Sequence, residues 1–320
     1  MMLHRCRGPE DFRALMNGPE FTVRWMLEVH LARRHAGRDG LELPGFCTTC
    51  NRTVDFEANF DGAWRSPEGI EIPNWRETLR CPGCHFGGRE RRMVQLITEW
   101  AMNLENRDGI RGYMTEQVTP LFRWANEALP WVEWIGSEYL DPGFEGGSVH
   151  DGLRHEDAEH LSFADDEFDV IVSGDVLEHV ADPARMLSEL ARVTRPGGTV
   201  LLTFPMDPQL DRNRARAARR ADGSVEFLLE PILHGNPVSG DGSLVFTDFG
   251  WEVLEQMRAA GLEDPTLDVY WSYEHGWLGT QFTFAARRPA PAGGLLRRAM
   301  TRLKDSGRSL PDRQRELRRR

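Results

Sequence analysis

The sequence predicts an α/β fold built on a doubly wound, mostly parallel sheet, and two observations support this prediction. The run Phe168–Val172 is apolar apart from Asp169, as is typical of a parallel strand covered on both faces. A helix follows, with Asp182 as its predicted N-cap and Pro183 at its first position, and a second apolar strand begins at Thr199. Strand, helix and strand in this order indicate a βαβ crossover, whose two strands run parallel.

Polar residues follow the first of these strands at the point where it ends. They are Ser173, Gly174 and Asp175. Open α/β sheets bind their ligands in the crevice outside the carboxyl ends of the strands. The sequence therefore predicts a nucleotide-type site at this edge of the sheet.

The segment FADDEFDVIVSGDVLEHVADPARMLSELARVTRPGGTVLLTFP, residues 163–205, resembles the second half of class I S-adenosylmethionine-dependent methyltransferases of the type found in quinone biosynthesis. The resemblance extends over roughly residues 110–287 and is most specific between 157 and 205. It implies a Rossmann-like fold that uses S-adenosylmethionine as cofactor and a small molecule as methyl acceptor.

The first loop of the predicted sheet departs from that resemblance. The first strand is predicted to begin at Ile110, and the glycine-rich loop expected after it is replaced by Thr115, Glu116 and Gln117. Either polar side chains and the next helix N-terminus take over the role of the loop, or the domain has lost its cofactor. We expect binding, because the other elements of the pocket are intact.

Two acidic residues are predicted to hold the nucleoside. Glu138 lies 22 positions after Glu116, close to the separation at which an acid accepts both ribose hydroxyls. The resemblance implies that Asp157 accepts the adenine amino group, while Tyr139 could pack on the adenine face. The alternatives are a surface carboxylate at 138 and a helix N-cap at 157. The predicted cofactor-binding residues are Thr115, Glu116, Gln117, Glu138, Tyr139, Asp157, Ala158, Ser173 and Gly174.

Methyl transfer from a sulfonium needs alignment more than it needs a base, because the methyl group is already activated. If the acceptor is a hydroxyl, His179 and Asp175 are the predicted catalytic residues, with His234 as a further candidate. Glu178 and His179 match the Glu-His pair of the family's LEHV motif, and packing near the cofactor is the alternative role of that pair.

Four of the five cysteines form two C-x-x-C pairs, Cys47 with Cys50 and Cys81 with Cys84. Two such pairs that converge supply the four thiolates that structural zinc prefers, so we expect a zinc-ribbon-like module. A redox pair, haem attachment through CPGCH, and cysteines without a metal are the alternatives. Loss of zinc through Cys81→Ser is expected to affect the module more than a distant cofactor pocket.

The chain is predicted to have three parts. Residues 1–105 form a helical segment with the zinc-ribbon-like module, 106–290 form the methyltransferase domain, and 291–320 form a basic tail. The stretch 206–247 is too long for an ordinary connection and is predicted to be a lid. Its His234, Asn236 and the arginines between 212 and 220 are candidate substrate contacts.

Charge and composition limit the partners. The net charge is −11 although residues 297–320 carry ten basic against three acidic residues, so broad nucleic-acid binding is not expected. No apolar stretch reaches the roughly 20 residues of a membrane span, and a cytoplasmic location is expected. The sequence leaves the oligomeric state open. A cofactor-less scaffold is the alternative function, and a nicotinamide-dependent oxidoreductase is disfavoured because no G-x-G-x-x-G follows the first strand.

Overall fold

The computed structural model describes residues 2–236, 238 and 240–290. The predicted basic tail, 291–320, lies outside the described residues. Residues up to Arg288 form one compact unit. Among the described helices, none is long and apolar enough to cross a membrane.

The described residues form helices of 4 to 17 residues and strands of 2 to 11 residues. The helices are α1 Pro9–Met16, α2 Pro19–His35, α3 Trp75–Thr78, α4 Gly88–Met102, α5 Pro120–Ala128, α6 Pro183–Val193 and α7 Glu252–Ala259, with a 3₁₀ helix at Leu177–His179. The strands are β1 Met2–Cys6, β2 Gly40–Cys47, β3 Arg52–Asn59, β4 Trp64–Arg65, β5 Glu71–Ile72, β6 Ile110–Met114, β7 Val132–Gly136, β8 Val149–His150, β9 Leu153–Arg154, β10 Phe168–Gly174, β11 Thr194–Thr203, β12 Arg214–Ala215, β13 Ala217–Arg219, β14 Val225–Phe227, β15 Leu233–His234, β16 Ser243–Leu244, β17 Thr247–Asp248, β18 Glu263–Ser272 and β19 Trp277–Arg287.

Seven of these strands form the central sheet, in the order β1-β18-β19-β11-β10-β6-β7. The four strands β11, β10, β6 and β7 are parallel neighbours, whereas β19, β18 and β1 each join through antiparallel pairing. Five strands therefore run in one direction and two, β19 and β1, in the other. The predicted α/β fold and the predicted βαβ crossover of β10, α6 and β11 are confirmed.

Helices cover both faces of the sheet, as expected for a doubly wound fold. On one face α1, α6 and α7 bury Phe12, Leu190 and Leu254 against Ile171 and Leu202 of the sheet. On the other face α4 and α5 pack against β6, β7 and β10 through a second apolar cluster. Because both faces of β10 are buried, its apolar run is explained by packing on each side.

The segment before residue 105 packs onto the sheet. Its apolar cluster, which includes Phe56, Trp75 and Leu79, also contains Leu278 of β19. In α2, the buried carboxylate of Glu28 accepts hydrogen bonds from Trp271 Nε1 at 2.7 Å and from the Gly279 amide at 2.9 Å. The predicted division at residue 105 stays a prediction, and the two sides of that boundary share core residues.

The predicted lid consists of short paired strands. β12 pairs with β17, β13 with β14, and β15 with β16, all antiparallel. The amide of Phe246 donates to the carbonyl of Glu178 at 2.8 Å, which joins the end of this segment to the 3₁₀ helix.

A glycine in the central sheet provides a test of the packing. Gly112 of β6 lies opposite Trp134 of β7, and a Cβ atom at residue 112 would lie 2.4 Å from the buried indole ring. We expect Gly112→Ala to lower the free energy of unfolding by about 1–3 kcal/mol, because the ring must move within a packed core. Chemical denaturation measures this, and Gly235→Ala, where a Cβ meets nothing within 4 Å, is the matched control. Equal stability of the two variants would contradict the described packing.

Candidate functional site

A cavity of about 1120 Å³ lies beyond the carboxyl ends of β6, β7 and β10. Most of the site residues predicted from the sequence line it: Thr115, Glu116, Glu138, Tyr139, Asp157, Ala158, Gly174, Asp175 and His179. His234 and Asn236 of the lid segment line it as well. Gln117 and Ser173 are predicted cofactor residues that do not line the cavity, and both act on the loop beside it.

The glycine-free loop after β6 is held by side chains. Oε1 of Glu138 accepts hydrogen bonds from the amides of Gln117 at 2.7 Å and Val118 at 2.9 Å. The hydroxyl of Thr115 bonds that of Ser173 at 2.8 Å, and Thr119 caps α5. One carboxylate oxygen of Glu138 is therefore engaged by the loop, which leaves one, and not the expected two, for a ligand.

Gln117 ties the same loop to the next segment of the chain. Its side-chain oxygen accepts from the Arg154 amide at 2.9 Å, and its side-chain nitrogen donates to the Gly152 carbonyl at 3.0 Å. The close approach that a glycine permits is found on the neighbouring strand, since a Cβ at Gly136 would lie 3.0 Å from the carbonyl oxygen of Glu116. The loop is thus rigid without glycines of its own.

Asp157 lies in a turn beside the cavity. Its Oδ1 accepts from the Glu159 amide at 2.9 Å, and the carbonyl of Asp157 accepts from the His160 amide. The residues after Asp157 form this turn and no helix, so the alternative of a helix N-cap is wrong. Asp157 itself remains on the cavity wall.

An ion cluster forms part of the cavity wall. Asp175 receives two bonds from Arg76 Nη2, at 2.7 and 2.8 Å, and lies 3.3 Å from Arg89 Nη1. Arg76 belongs to α3 and Arg89 to α4, so the cysteine-rich part of the chain contributes directly to the cavity. The cysteine-rich part and this cavity are therefore neighbours, whereas a cofactor pocket distant from that part was expected.

The pKa values of two carboxyl groups in this cluster are shifted in opposite directions. Burial alone would raise the pKa of Asp175, but Arg76 and Arg89 outweigh burial and lower that pKa to about 2. Burial raises the pKa of Glu116 to about 8; Arg89 opposes the shift, whereas Glu90, Glu138 and Asp175 add to it. At neutral pH Asp175 is ionised and Glu116 is mostly protonated.

His179 and His234 line the cavity, and both lie beside the buried Glu178. Oε1 of Glu178 lies 3.6 Å from Nε2 of His179 and 3.6 Å from Nδ1 of His234. The two imidazole rings are perpendicular, with centroids 5.0 Å apart. The pKa of His234 is raised, first of all by the Glu178 carboxylate.

The four paired cysteines converge on one point. Sγ of Cys47 lies 3.8 Å from Sγ of Cys84, and Sγ of Cys50 lies 3.7 Å from Sγ of Cys81. Thiolates around zinc at about 2.3 Å are separated by about 3.8 Å along the edges of the tetrahedron. The amides of Cys50 and Gly83 point at Sγ of Cys47 and Cys81. The donor set and its spacing fit a tetrahedral zinc ion.

Sequence reasoning missed the arginines of the ion cluster. The residue before Arg76, Trp75, is a core residue. Arg76 lies 99 positions before its partner Asp175, and no local pattern links two residues so far apart. Arg89 lies five positions after Cys84, and this closeness to the second cysteine pair was the available signal for it.

Comparison with known proteins bears on the class of the domain. A family profile described as a methyltransferase domain matches residues 142–202. An uncharacterized methyltransferase of Mycobacterium sp. (strain JLS) is 37% identical over 109 residues, which are 33% of this chain and 43% of that protein. A demethylmenaquinone methyltransferase of Halalkalibacterium halodurans is 43% identical over 76 residues, which are 24% of this chain and 28% of that protein.

Among solved structures, an S-adenosylmethionine-dependent methyltransferase from Mesorhizobium loti aligns with a TM-score of 0.39 at 17% identity, over 64% of this chain and 100% of that one. The chain spans less than half the length of the two curated relatives described above. The resemblance predicted from the sequence is confirmed: residues 142–202 match the methyltransferase-domain profile, and the curated relatives described above are methyltransferases.

The raised pKa of Glu116 predicts a dependence of stability on pH. A carboxyl whose pKa is about 8 when folded and about 4.5 when unfolded favours the folded state below pH 4.5, and this contribution is lost as pH rises to 8. We expect Glu116→Gln to gain roughly 2 kcal/mol over the wild type between pH 6 and pH 8. Urea denaturation at several pH values measures the difference, and a difference that does not change with pH would contradict the assignment.

Proposed function

We propose that the protein is an S-adenosylmethionine-dependent methyltransferase that acts on a small-molecule acceptor. The observation that carries the proposal is the cavity at the carboxyl ends of three parallel strands, with Glu138 after β7 and Asp157 on its wall. Its volume of about 1120 Å³ is at the upper end of ordinary ligand sites. There is room for a cofactor and an acceptor together.

Glu138 and Asp157 are the proposed nucleoside contacts. Because Oε1 of Glu138 holds the loop, the proposal assigns the ribose hydroxyls to Oε2, which can accept two hydrogen bonds. Asp157 accepts the adenine amino group, and the half-exposed ring of Tyr139 lies beside the adenine face. Ala158 and Gly174 complete the wall, while Thr115, Gln117 and Ser173 hold the loop in place.

The ion cluster is the proposed site for the amino-acid end of the cofactor. That end carries one ammonium and one carboxylate, and Glu116 and Arg89 offer a group of the opposite charge for each. Gly174 faces both side chains, since a Cβ there would lie 3.3 Å from Oε1 of Glu116 and 3.6 Å from Arg89 Nη1. A bound ammonium would ionise Glu116 by the attraction of opposite charges.

The reacting end of the cavity is proposed to lie between the ion cluster and the lid. The bound cofactor supplies an activated methyl group, and the chain's own residues orient the acceptor towards it. Asp175 and His179 remain the proposed catalytic pair. Their contacts favour unequal roles: Asp175 is bound to two arginines and acts in positioning, whereas His179 faces the cavity near the lid.

The alternative function, a cofactor-less binding module, has one specific observation in its favour. The carboxyl of Glu116 occupies the space against Gly174 that a glycine-rich loop would leave open. The zinc module would then be the main site of contact with a partner. Cofactor binding separates the two proposals.

Cofactor binding tests the proposed enzyme function. Calorimetry should detect S-adenosylmethionine binding to the wild type, and Glu138→Gln and Asp157→Asn should each weaken it about tenfold to a hundredfold, because a hydrogen bond to a charged group contributes about 1.5–3 kcal/mol. Glutamine keeps an oxygen for the Gln117 and Val118 amides, so the loop should stay folded. Glu133→Gln, at an exposed position of β7, is the control.

Absence of binding by the wild type at millimolar cofactor would reject the enzyme and favour the binding module. Equal affinity of Glu138→Gln and Glu133→Gln for S-adenosylmethionine would be compatible with the proposed enzyme but would reject the assignment of the ribose to Glu138.

We also propose that the four-cysteine site holds a structural zinc ion, because the spacing of the sulfur atoms fits one. Elemental analysis should find zinc there, and Cys81→Ser should lose it. Because α3 and α4 present Arg76 and Arg89 to the cavity, the same variant should bind S-adenosylmethionine at least about tenfold more weakly. Cys6→Ala, a buried cysteine outside the cluster, should keep both zinc and cofactor affinity. Unchanged cofactor affinity in Cys81→Ser would contradict the link.

A further inference from the structure

Three metal-binding side chains meet at the lid side of the cavity. Glu178 and His179 lie on the 3₁₀ helix and His234 lies on β15, and one ligand atom of each is within 4.8 Å of one of each of the others. Both Glu178–histidine distances are 3.6 Å. Ligands at about 2.0–2.1 Å from a tetrahedral ion are about 3.3 Å apart along each edge. Both Glu178–histidine edges therefore lie within about 0.3 Å of that spacing, and the two imidazole nitrogens lie within 4.8 Å of each other.

The carboxylate of Glu178 is buried without a hydrogen bond. Glu178 is 1% exposed, and neither of its carboxylate oxygens has a hydrogen-bond partner among the residues that the structure describes. A buried carboxylate without hydrogen bonds costs several kcal/mol, so native proteins pair such groups or bind metals with them. A cation between Glu178 and the two imidazoles would offset that cost.

The orientation of His179 supports the same conclusion. Its Nδ1 lies 2.9 Å from the carbonyl oxygen of Leu244, which can only accept, so Nδ1 carries the proton. In a neutral imidazole the lone pair of Nε2 then faces the Glu178 carboxylate. Both groups are hydrogen-bond acceptors, so neither can donate to the other. Histidines that bind metals commonly donate their other ring N–H to a backbone carbonyl in this way.

We propose that Glu178, His179 and His234 bind a divalent transition-metal ion such as zinc, and that the ion's open fourth position takes a hydroxyl oxygen of the methyl acceptor. Two imidazoles and one carboxylate are a common ligand set for such ions, and three protein ligands leave a position open. The site opens on the cavity, since His179 and His234 both line it.

The acceptor role rests on the proposed methyltransferase function and names its substrate class. The ion lowers the pKa of the bound hydroxyl, whose proton leaves to solvent. The oxygen then attacks the methyl carbon, the carbon–sulfur bond breaks with its electron pair on sulfur, and the products are a methyl ether and a thioether. The proposal therefore predicts O-methylation of an alcohol or phenol.

Cobalt titration of the full chain tests the metal site. After removal of exchangeable metal, Co²⁺ should bind at two sites: the four cysteines, with intense sulfur-to-cobalt charge-transfer bands, and the Glu178 site, with weaker visible bands alone. Loss of a group that only orients a ligand costs about tenfold to a hundredfold in metal affinity, so loss of a ligand itself should cost more than a hundredfold. Glu178→Gln and His234→Ala should lose the second site by this criterion.

His30→Ala, at an exposed position of α2, is the control and should keep both sites. Circular dichroism and retained charge-transfer bands show that a variant is folded. Acetohydroxamate, a small oxygen donor, should shift the visible bands of the second site in the wild type. Failure to shift them would overturn the open position.

Absence of the weaker visible bands in the wild type, or their persistence in Glu178→Gln, would overturn the metal site. Cofactor binding is measured separately on the same samples. Binding of metal at the Glu178 site without binding of S-adenosylmethionine would reject the methyltransferase function and keep the metal site. Binding of S-adenosylmethionine without metal at the Glu178 site would keep the methyltransferase function and reject the metal site.

Discussion

The ion pairs of Asp175 with Arg76 and Arg89 join the two parts of this molecule that the sequence treats as separate. Asp175 follows β10 at the edge of the sheet, while the two arginines come from helices on either side of the second cysteine pair. Buried charges of this kind are tolerated only where they are paired. The helices that carry the two arginines flank the second cysteine pair, and the arginines form part of the wall of the cavity.

The loop after β6 follows from a second constraint. A glycine-rich loop reaches a ligand closely because its backbone is unhindered, whereas here Glu138, Thr115 and Gln117 fix the backbone through hydrogen bonds. The side chain of Glu116 then reaches the space beside Gly174. The loop therefore offers a ligand the carboxyl of Glu116, whose pKa is raised by burial, where a glycine-rich loop would offer its backbone. In the proposed complex that carboxyl meets the ammonium of the cofactor, which makes the unusual loop a part of the binding site.

How much of this was predictable depends on the distance between partners along the chain. A local apolar pattern with an N-cap and a proline at N1 predicts the crossover of β10, α6 and β11, and the structure confirms it. The cysteine pairs carry a recognisable spacing, and the structure brings them together. The partnership of Arg76 with Asp175 and that of Glu178 with His234 join residues far apart in the chain. No periodicity or motif reports such pairs; only the packed sheet and the lid segment bring them together.

The central claim is that the cavity beyond β6, β7 and β10 is a nucleoside site whose amino-acid end is bound by the ion cluster. A crystal structure with S-adenosylhomocysteine tests it most directly. The account predicts the ribose at Oε2 of Glu138, the adenine beside Asp157, and the ammonium within hydrogen-bond distance of Glu116. A nucleoside bound in another orientation, with Glu116 and Arg89 free of contact to the ligand, would contradict it.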